Sequence, residues 1–353
     1  MPGDITIALD AMGGDAGPEA VVGGAALSRV RYPTVSFEFH GDETQLAPLL
    51  EHDSALKAVS TIRHADVAVS MNDKPSQALR AGRKVSSMWC AIEALKDGRA
   101  QAAVSCGNTG ALTVMSRMVL RTMPGIERPA IAAIWPTMRG ESVVLDVGAN
   151  VVAEEKNLVN FAIMGEAMAR AALGQTRPTV GLLNIGVEEM KGNENVKGAA
   201  QILRASDLDF DFYGFVEGDD ISKGTVDVVV TDGFTGNIAL KTAEGTARLI
   251  GDYLSNAMRR SFASRIGYLL ARGAFNVLRQ RMDPRSVNGG VFLGLNGVVV
   301  KSHGSTDATG FSSALDLAID MARYDIIGRI AADLEKLHAE RAAADPASQK
   351  AVV

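Results

Sequence analysis

Residues Val228 to Gly245 read VVVTDGFTGNIALKTAEG. Three β-branched residues form a short buried strand, a Gly/Asn-rich turn (DGFTGN) follows, and a helical run is expected to open at Asn237 with Lys241 one turn in. Such a strand–turn–helix leaves unpaired N–H groups and the positive end of a helix dipole facing outward, which suits an anion. Taken alone, the stretch equally suits a tight connection with no ligand.

The same grammar recurs on either side. Ile5 to Asp10 reads as a strand ending in MGGDAGPEAV, and AAVSCGNTGALTVMS (102–116) as strand, GNTG turn and helix with Asn108 and Thr109 at the helix start. Glu141 to Asp146 ends in LDVGAN, which brings Asn150 to a strand mouth. Thr179 to Ile185 ends in NIGVEEMKGNENVK, carrying Asn184 and Lys191. His303 lies just past a strand at Val298 to Lys301. Alternating strands and helices imply a largely parallel α/β sheet with helices on both faces. The Gly/Asn/Asp-rich loops are expected together on the carboxyl edge, where such sheets bind ligands.

Composition narrows the function classes. The chain has 353 residues, 47% hydrophobic and 22% charged, which describes a soluble globular protein with a sizeable core. A net charge of −5 argues against generic nucleic-acid binding. Cys90 and Cys106 form no CxxC pair and have no metal-ligand spacing, as expected of free thiols in a reducing compartment. No GxG occurs among the 36 glycines, so the dinucleotide fingerprint is missing. The start, MPGDITIALDAMGG, runs straight into a strand, so a cytoplasmic location is expected. Residues 1–340 are read as one large α/β unit, with room for two lobes, and 341–353 as a disordered tail.

One segment departs from this pattern. Gly245 to Arg285 holds eight arginines against two aspartates, with apolar residues at helical spacing. A helical hairpin broken at Gly267 or Gly273 is expected. It could pack at a subunit interface, or rest on anionic lipid through Arg259, Arg260, Phe262 and Arg265, or both. Arg80, Arg83 and Lys84 suit either a solvated face or a lip that guides an anionic substrate.

Together, DAMGGD (10–15), SCGNTGA (105–111), LDVGAN (145–150), LLNIGVEEMKG (182–192), YGFVEGDDI (213–221), the 228–245 stretch and VKSHGS (300–305) resemble the bacterial phosphate acyltransferase (PlsX) family. They follow the family's order over about 300 residues. The resemblance implies a phosphotransacetylase/isocitrate-dehydrogenase-like fold and no organic cofactor. It also implies transfer of a fatty acyl group from acyl carrier protein to inorganic phosphate, making acyl phosphate for phospholipid synthesis. A homodimer at the membrane surface, passing its product to a membrane glycerol-3-phosphate acyltransferase, completes the expectation.

Such chemistry needs phosphate held against a thioester carbon and fixed donors for the oxyanion. Asn108, Thr109 and Asn237 with Lys241 are expected to bind phosphate or oxyanion, beside Asn150 and Asn184. Lys191 and His303 are candidates for charge stabilisation or proton transfer, with Asp232 orienting one of them. No GxSxG elbow is present, which favours direct attack by phosphate. Two alternatives stand beside this one. A metal- and nicotinamide-dependent dehydrogenase on the same fold would need a metal at Glu217, Asp219 and Asp220, where none is expected. A non-catalytic lipid- or carrier-binding adaptor would use only the arginine segment.

Overall fold

The computed structural model describes residues 5–281 and 288–344. The N-terminal part runs β1 (Thr6–Asp10), α1 (Gly17–Arg31), β2 (Ser36–Gly41), α2 (Glu43–Glu51), α3 (Ser54–Lys57), β3 (Ser60–His64), α4 (Pro75–Gly82), α5 (Ser87–Lys96), β4 (Ala102–Ser105) and α6 (Thr109–Leu120). An antiparallel pair, β5 (Ala130–Thr137) and β6 (Gly140–Leu145), leads into α7 (Glu155–Leu173), β7 (Thr179–Leu183), α8 (Glu194–Ala205), β8 (Asp211–Val216), α9 (Gly218–Lys223) and β9 (Val228–Val230). The chain continues with α10 (Gly233–Arg259), α11 (Phe262–Leu270), α12 (Arg272–Arg281), β10 (Gly290–Leu293), β11 (Val298–Lys301), α13 (Ala308–Arg323) and α14 (Ile326–Ala344).

Among the described residues the strands form one sheet, ordered β3-β2-β1-β4-β11-β10-β5-β6-β9-β7-β8. Consecutive side chains on a strand point to opposite faces, and the sequence exploits this on both sides. Val228 and Val230 enter one core, Val229 the other; Val298 and Val300 likewise part from Val299. Near-continuous valine runs are what a sheet covered on both faces requires, so the expected α/β architecture stands.

The directions of the strands correct one expectation. β1, β2, β3, β4 and β11 run parallel to one another, as do β6, β9, β7 and β8. Between the blocks, β10 is antiparallel to β11 and to β5, and β5 is antiparallel to β6. The two blocks therefore point in opposite senses. The DAMGGD, SCGNTG and KSHGS loops leave one edge of the sheet; LDVGAN, NIGVEEMKG and the turn after β9 leave the other. The reversal turns on β5 (Ala130–Thr137), a segment for which the sequence offered no strand.

Helix α10 links the edges. It starts at Gly233, so DGFTGN is its cap and first turn rather than an open turn before a helix at Asn237. Gly233 to Glu244 rises about 16 Å, roughly the height of the sheet. Ala239, Leu240 and Ala243 pack on the face lined by Val229, and Glu244 emerges beside His303 beyond β11. The two glycines in its first turn allow a close approach: a Cβ at Gly236 would stand 2.0 Å from the Asp146 carbonyl oxygen, and one at Gly233 2.6 Å from that of Asn150.

The arginine-rich segment is helical, as its spacing predicts, but the breaks fall elsewhere. Ser261 ends the α10 run and caps α11 through the Ser264 N–H, and Ala271 separates α11 from α12. Neither Gly267 nor Gly273 breaks a helix. Residues 282–285 of the expected hairpin lie outside the described residues, as do 345–353 of the expected tail; 341–344 belong to α14.

Candidate active site

At the edge where β1, β4 and β11 end, Asp10 is 1% exposed. Its two carboxylate oxygens each accept a hydroxyl, from Ser87 and from Ser105, at 2.6 Å. Burial pushes the Asp10 carboxyl up, opposed by those two serines. The Ser105 hydroxyl in turn accepts the Gly107 N–H at 3.0 Å. The Cys106 thiol donates to the Gly13 carbonyl at 3.0 Å, and burial pushes it up to about 12. Burial raises Cys90 as well. Neither thiol is a ready thiolate at neutral pH.

Lysines and a histidine converge here. Lys301 ends β11 opposite Ser105, and its ammonium donates to the carbonyls of Cys106, at 3.4 Å, and of Ser302. Burial lowers it to about 8. His303 turns Nε2 towards Glu244 Oε1 at 3.4 Å. On α10, Lys241 reaches Glu244 Oε2 at 2.9 Å, and Arg248 approaches the same oxygen at 3.4 Å. Burial works to raise Glu244, but Lys241 and His303 hold it below the usual carboxylate range. Buried Asn288 fixes this loop: its amide N–H groups donate to Ser302, Thr306 and Gly310, and its carbonyl accepts the His303 N–H.

Other expected residues take different roles. Asn108 caps α6 by accepting the Ala111 N–H, while its amide donates to Met71 and Asp73 carbonyls. Both ends of that amide are used within the protein, and Thr109 beside it is exposed.

On the opposite edge Asn150, 7% exposed, donates to Pro129 O and to Asp146. Asn184 holds its loop through the Gly186 and Lys191 carbonyls. Lys191 pairs with Glu188 at 3.1 Å. Asp232 caps α10, accepting the Thr235 N–H at 2.8 Å and its hydroxyl at 2.9 Å, and orients neither Lys191 nor His303. The N–H of Gly233 is likewise taken, by Asn150 O at 2.7 Å. Part of the donor set expected to face an anion at this helix start is thus satisfied internally. Asn237 is exposed, with its side chain against Gly148.

The structure thus brings Lys241 and His303 together, with Asn108 and Thr109 on the same edge. It leaves Asn150, Asn184, Lys191, Asp232 and Asn237 on the other. Sequence reasoning passed over Lys301, Glu244, Asp10 and Asn288. Lys301 and Asp10 lay inside quoted motifs, yet a lysine closing a strand reads as a solvated flank. Glu217 and Asp220 form a capping box on α9, and Asp219 and Asp220 pair with Lys223, so this acidic group is spent on local structure.

The family model described as "Fatty acid synthesis protein" matches residues 5–329. A phosphate acyltransferase of Parvibaculum lavamentivorans is 63% identical over 333 residues, covering 94% of this chain and 92% of that one. One from Xanthobacter autotrophicus is 63% identical over 330 residues, covering 94% and 93%. Among solved structures, a phosphotransacetylase from Streptococcus pyogenes shares the fold with a TM-score of 0.63 at 16% identity, covering 92% of this chain and 95% of that one. The match over nearly the whole length, with the motifs at both edges of the sheet in order, places this chain in the phosphate acyltransferase family of fatty acid synthesis proteins.

Proposed function

We propose that the protein transfers a fatty acyl group from acyl carrier protein to inorganic phosphate by direct attack. A phosphate oxygen forms the new bond to the thioester carbon and the C–S bond breaks. The sulfur leaves with the electron pair and takes up the proton that hydrogen phosphate carried, giving acyl phosphate and free carrier thiol. The observation that carries this reading is the convergence of Lys241 and His303 at the strand-end loops, on a carboxylate an incoming anion can replace. Lys241 neutralises the phosphate, and His303 stands where a proton can pass to the departing sulfur. The raised thiols of Cys90 and Cys106 argue against an acyl-cysteine. Protein quenched during turnover and weighed by mass spectrometry is expected to carry no acyl adduct; an acylated residue formed at the turnover rate would overturn direct attack.

The same reading makes residues 1–340 one working unit, cytoplasmic and attached to the membrane surface, with no nucleic-acid partner. No helix among the described residues is long and apolar enough to cross a membrane. Attachment falls to the arginine segment: Phe262 is 79% exposed and Leu270 84%, beside exposed Arg259, Arg260 and Arg265. The Leu249, Ile250 and Tyr253 face of α10, also exposed, suits a second copy of the chain. Each basic residue near an anionic surface contributes about 1 kcal/mol, so reversing Arg259, Arg260 and Arg265 to Glu is expected to weaken binding to anionic vesicles by roughly 100-fold or more. Unchanged flotation of that variant with such vesicles would refute the assignment.

A further inference from the structure

Lys301 is a half-buried cation that meets carbonyl oxygens but, among the described residues, no carboxylate. It leaves β11 among the ends of β1, β4 and β11, and its ammonium donates only to the carbonyls of Cys106 and Ser302. Among the described residues it makes no ion pair, whereas Lys241 holds Glu244 and Lys191 holds Glu188. Asp10 and Asp15 favour its charge from a distance, and Lys241 opposes it from α10. Asp10 is itself engaged by two serine hydroxyls. A half-buried ammonium without a carboxylate partner is costly, and a purely packing role would be met more cheaply by Met or Leu.

We infer that Lys301 is a phosphate-binding residue, its ammonium and that of Lys241 gripping one inorganic phosphate from opposite sides. This rests on the acyl-transfer reading above and names the ammonium that holds the second substrate. Two like charges brought towards each other by different elements, one by β11 and one by α10, repel until an anion stands between them. A tetrahedral dianion supplies oxygens to both. Glu244, released by Lys241, keeps Arg248 as a partner. Lys301 stays fixed on its strand, so it locates the phosphate, while Lys241 exchanges one anion for another.

The test compares Lys301→Met and Lys301→Arg with the unaltered protein in two readouts. The first is acyl phosphate formation against phosphate concentration, at saturating acyl carrier thioester. The second is the shift in melting temperature caused by inorganic phosphate alone. Losing a charge-assisted hydrogen bond is expected to raise the phosphate KM of K301M roughly 10- to 100-fold. The KM for the thioester should stay within about twofold, a split that general loosening of the fold would not produce. K301R is expected to fall between, and phosphate should no longer stabilise K301M.

A folded K301M with the original phosphate KM and melting shift overturns the assignment. Should K301M not fold, an unchanged phosphate KM in K301R does the same. If the unaltered protein forms no acyl phosphate yet is stabilised by phosphate, and K301M is not, the site stands and the acyl-transfer reading falls.

Discussion

Asp146→Ala is expected to lower the unfolding free energy by about 3–5 kcal/mol, the largest stability effect of any single side chain at either edge. The carboxylate is fully buried and gathers five donors. Oδ1 accepts the N–H groups of Ile131, Gly148 and Ala149; Oδ2 accepts the Asn150 N–H and its side-chain amide. Burial pushes this carboxyl up against the pull of those donors. Alanine leaves all five N–H groups facing a dry gap. The damage spreads, because Ile131 belongs to β5 and Asn150 receives the first N–H of α10. Asp146→Asn keeps the shape but turns an NH2 towards some of the donors, so an intermediate loss is expected. Urea unfolding of the two variants measures both; a D146A loss below about 1 kcal/mol would mean that the loop finds other acceptors.

Gly236→Ala is expected to reduce kcat/KM by about 100-fold, the scale at which roughly 1 Å of misplacement is felt. Its Cβ would meet the Asp146 carbonyl oxygen at 2.0 Å and the Thr231 methyl at 3.0 Å. The backbone of a loop held by five hydrogen bonds cannot yield, so α10 must move away from the sheet. Lys241 and Glu244 are carried with it, further along the same helix. Gly245→Ala is the matched control: nothing lies within 4 Å of its would-be Cβ. In the same helix that change is expected to add about 0.5–1 kcal/mol of stability and to leave turnover intact. Equal kinetics for G236A and the unaltered protein would show that the position of α10 does not govern the site.

How far the sequence could be read follows from particular residues. β1, β4, β9 and β11 were legible within a residue or so, because short apolar runs followed by Gly-, Asn- or Asp-rich turns have few other readings. β5 was not. Its sequence AIAAIWPT is alanine-rich and contains Pro136, both poor strand signals, yet it is the strand on which the sheet reverses. Missing it put every loop on one edge.

The opening stretch was read correctly as strand then helix, but its glycines looked like a turn. Close approach to Asp146 and Asn150 instead demands them inside the helix, where intrinsic propensity disfavours glycine. Of the site, Lys241 and His303 came from motif and position. Glu244, which joins them, depends on α10 crossing the sheet, and no local pattern reports that; Lys301 ends β11 and reads locally as a solvated flank. Asn150, Asn184 and Asp232 share a lesson: a polar side chain in a Gly-rich loop is as apt to hold the loop as to hold a ligand.

Transfer of an acyl group from a carrier thioester onto inorganic phosphate is tested by mixing purified protein, acyl–acyl carrier protein and phosphate, and trapping the product with hydroxylamine. Acyl hydroxamate should form in proportion to enzyme, saturate with phosphate, and match the free carrier thiol released one for one. Thiol release without hydroxamate, or no product at millimolar phosphate, would contradict it.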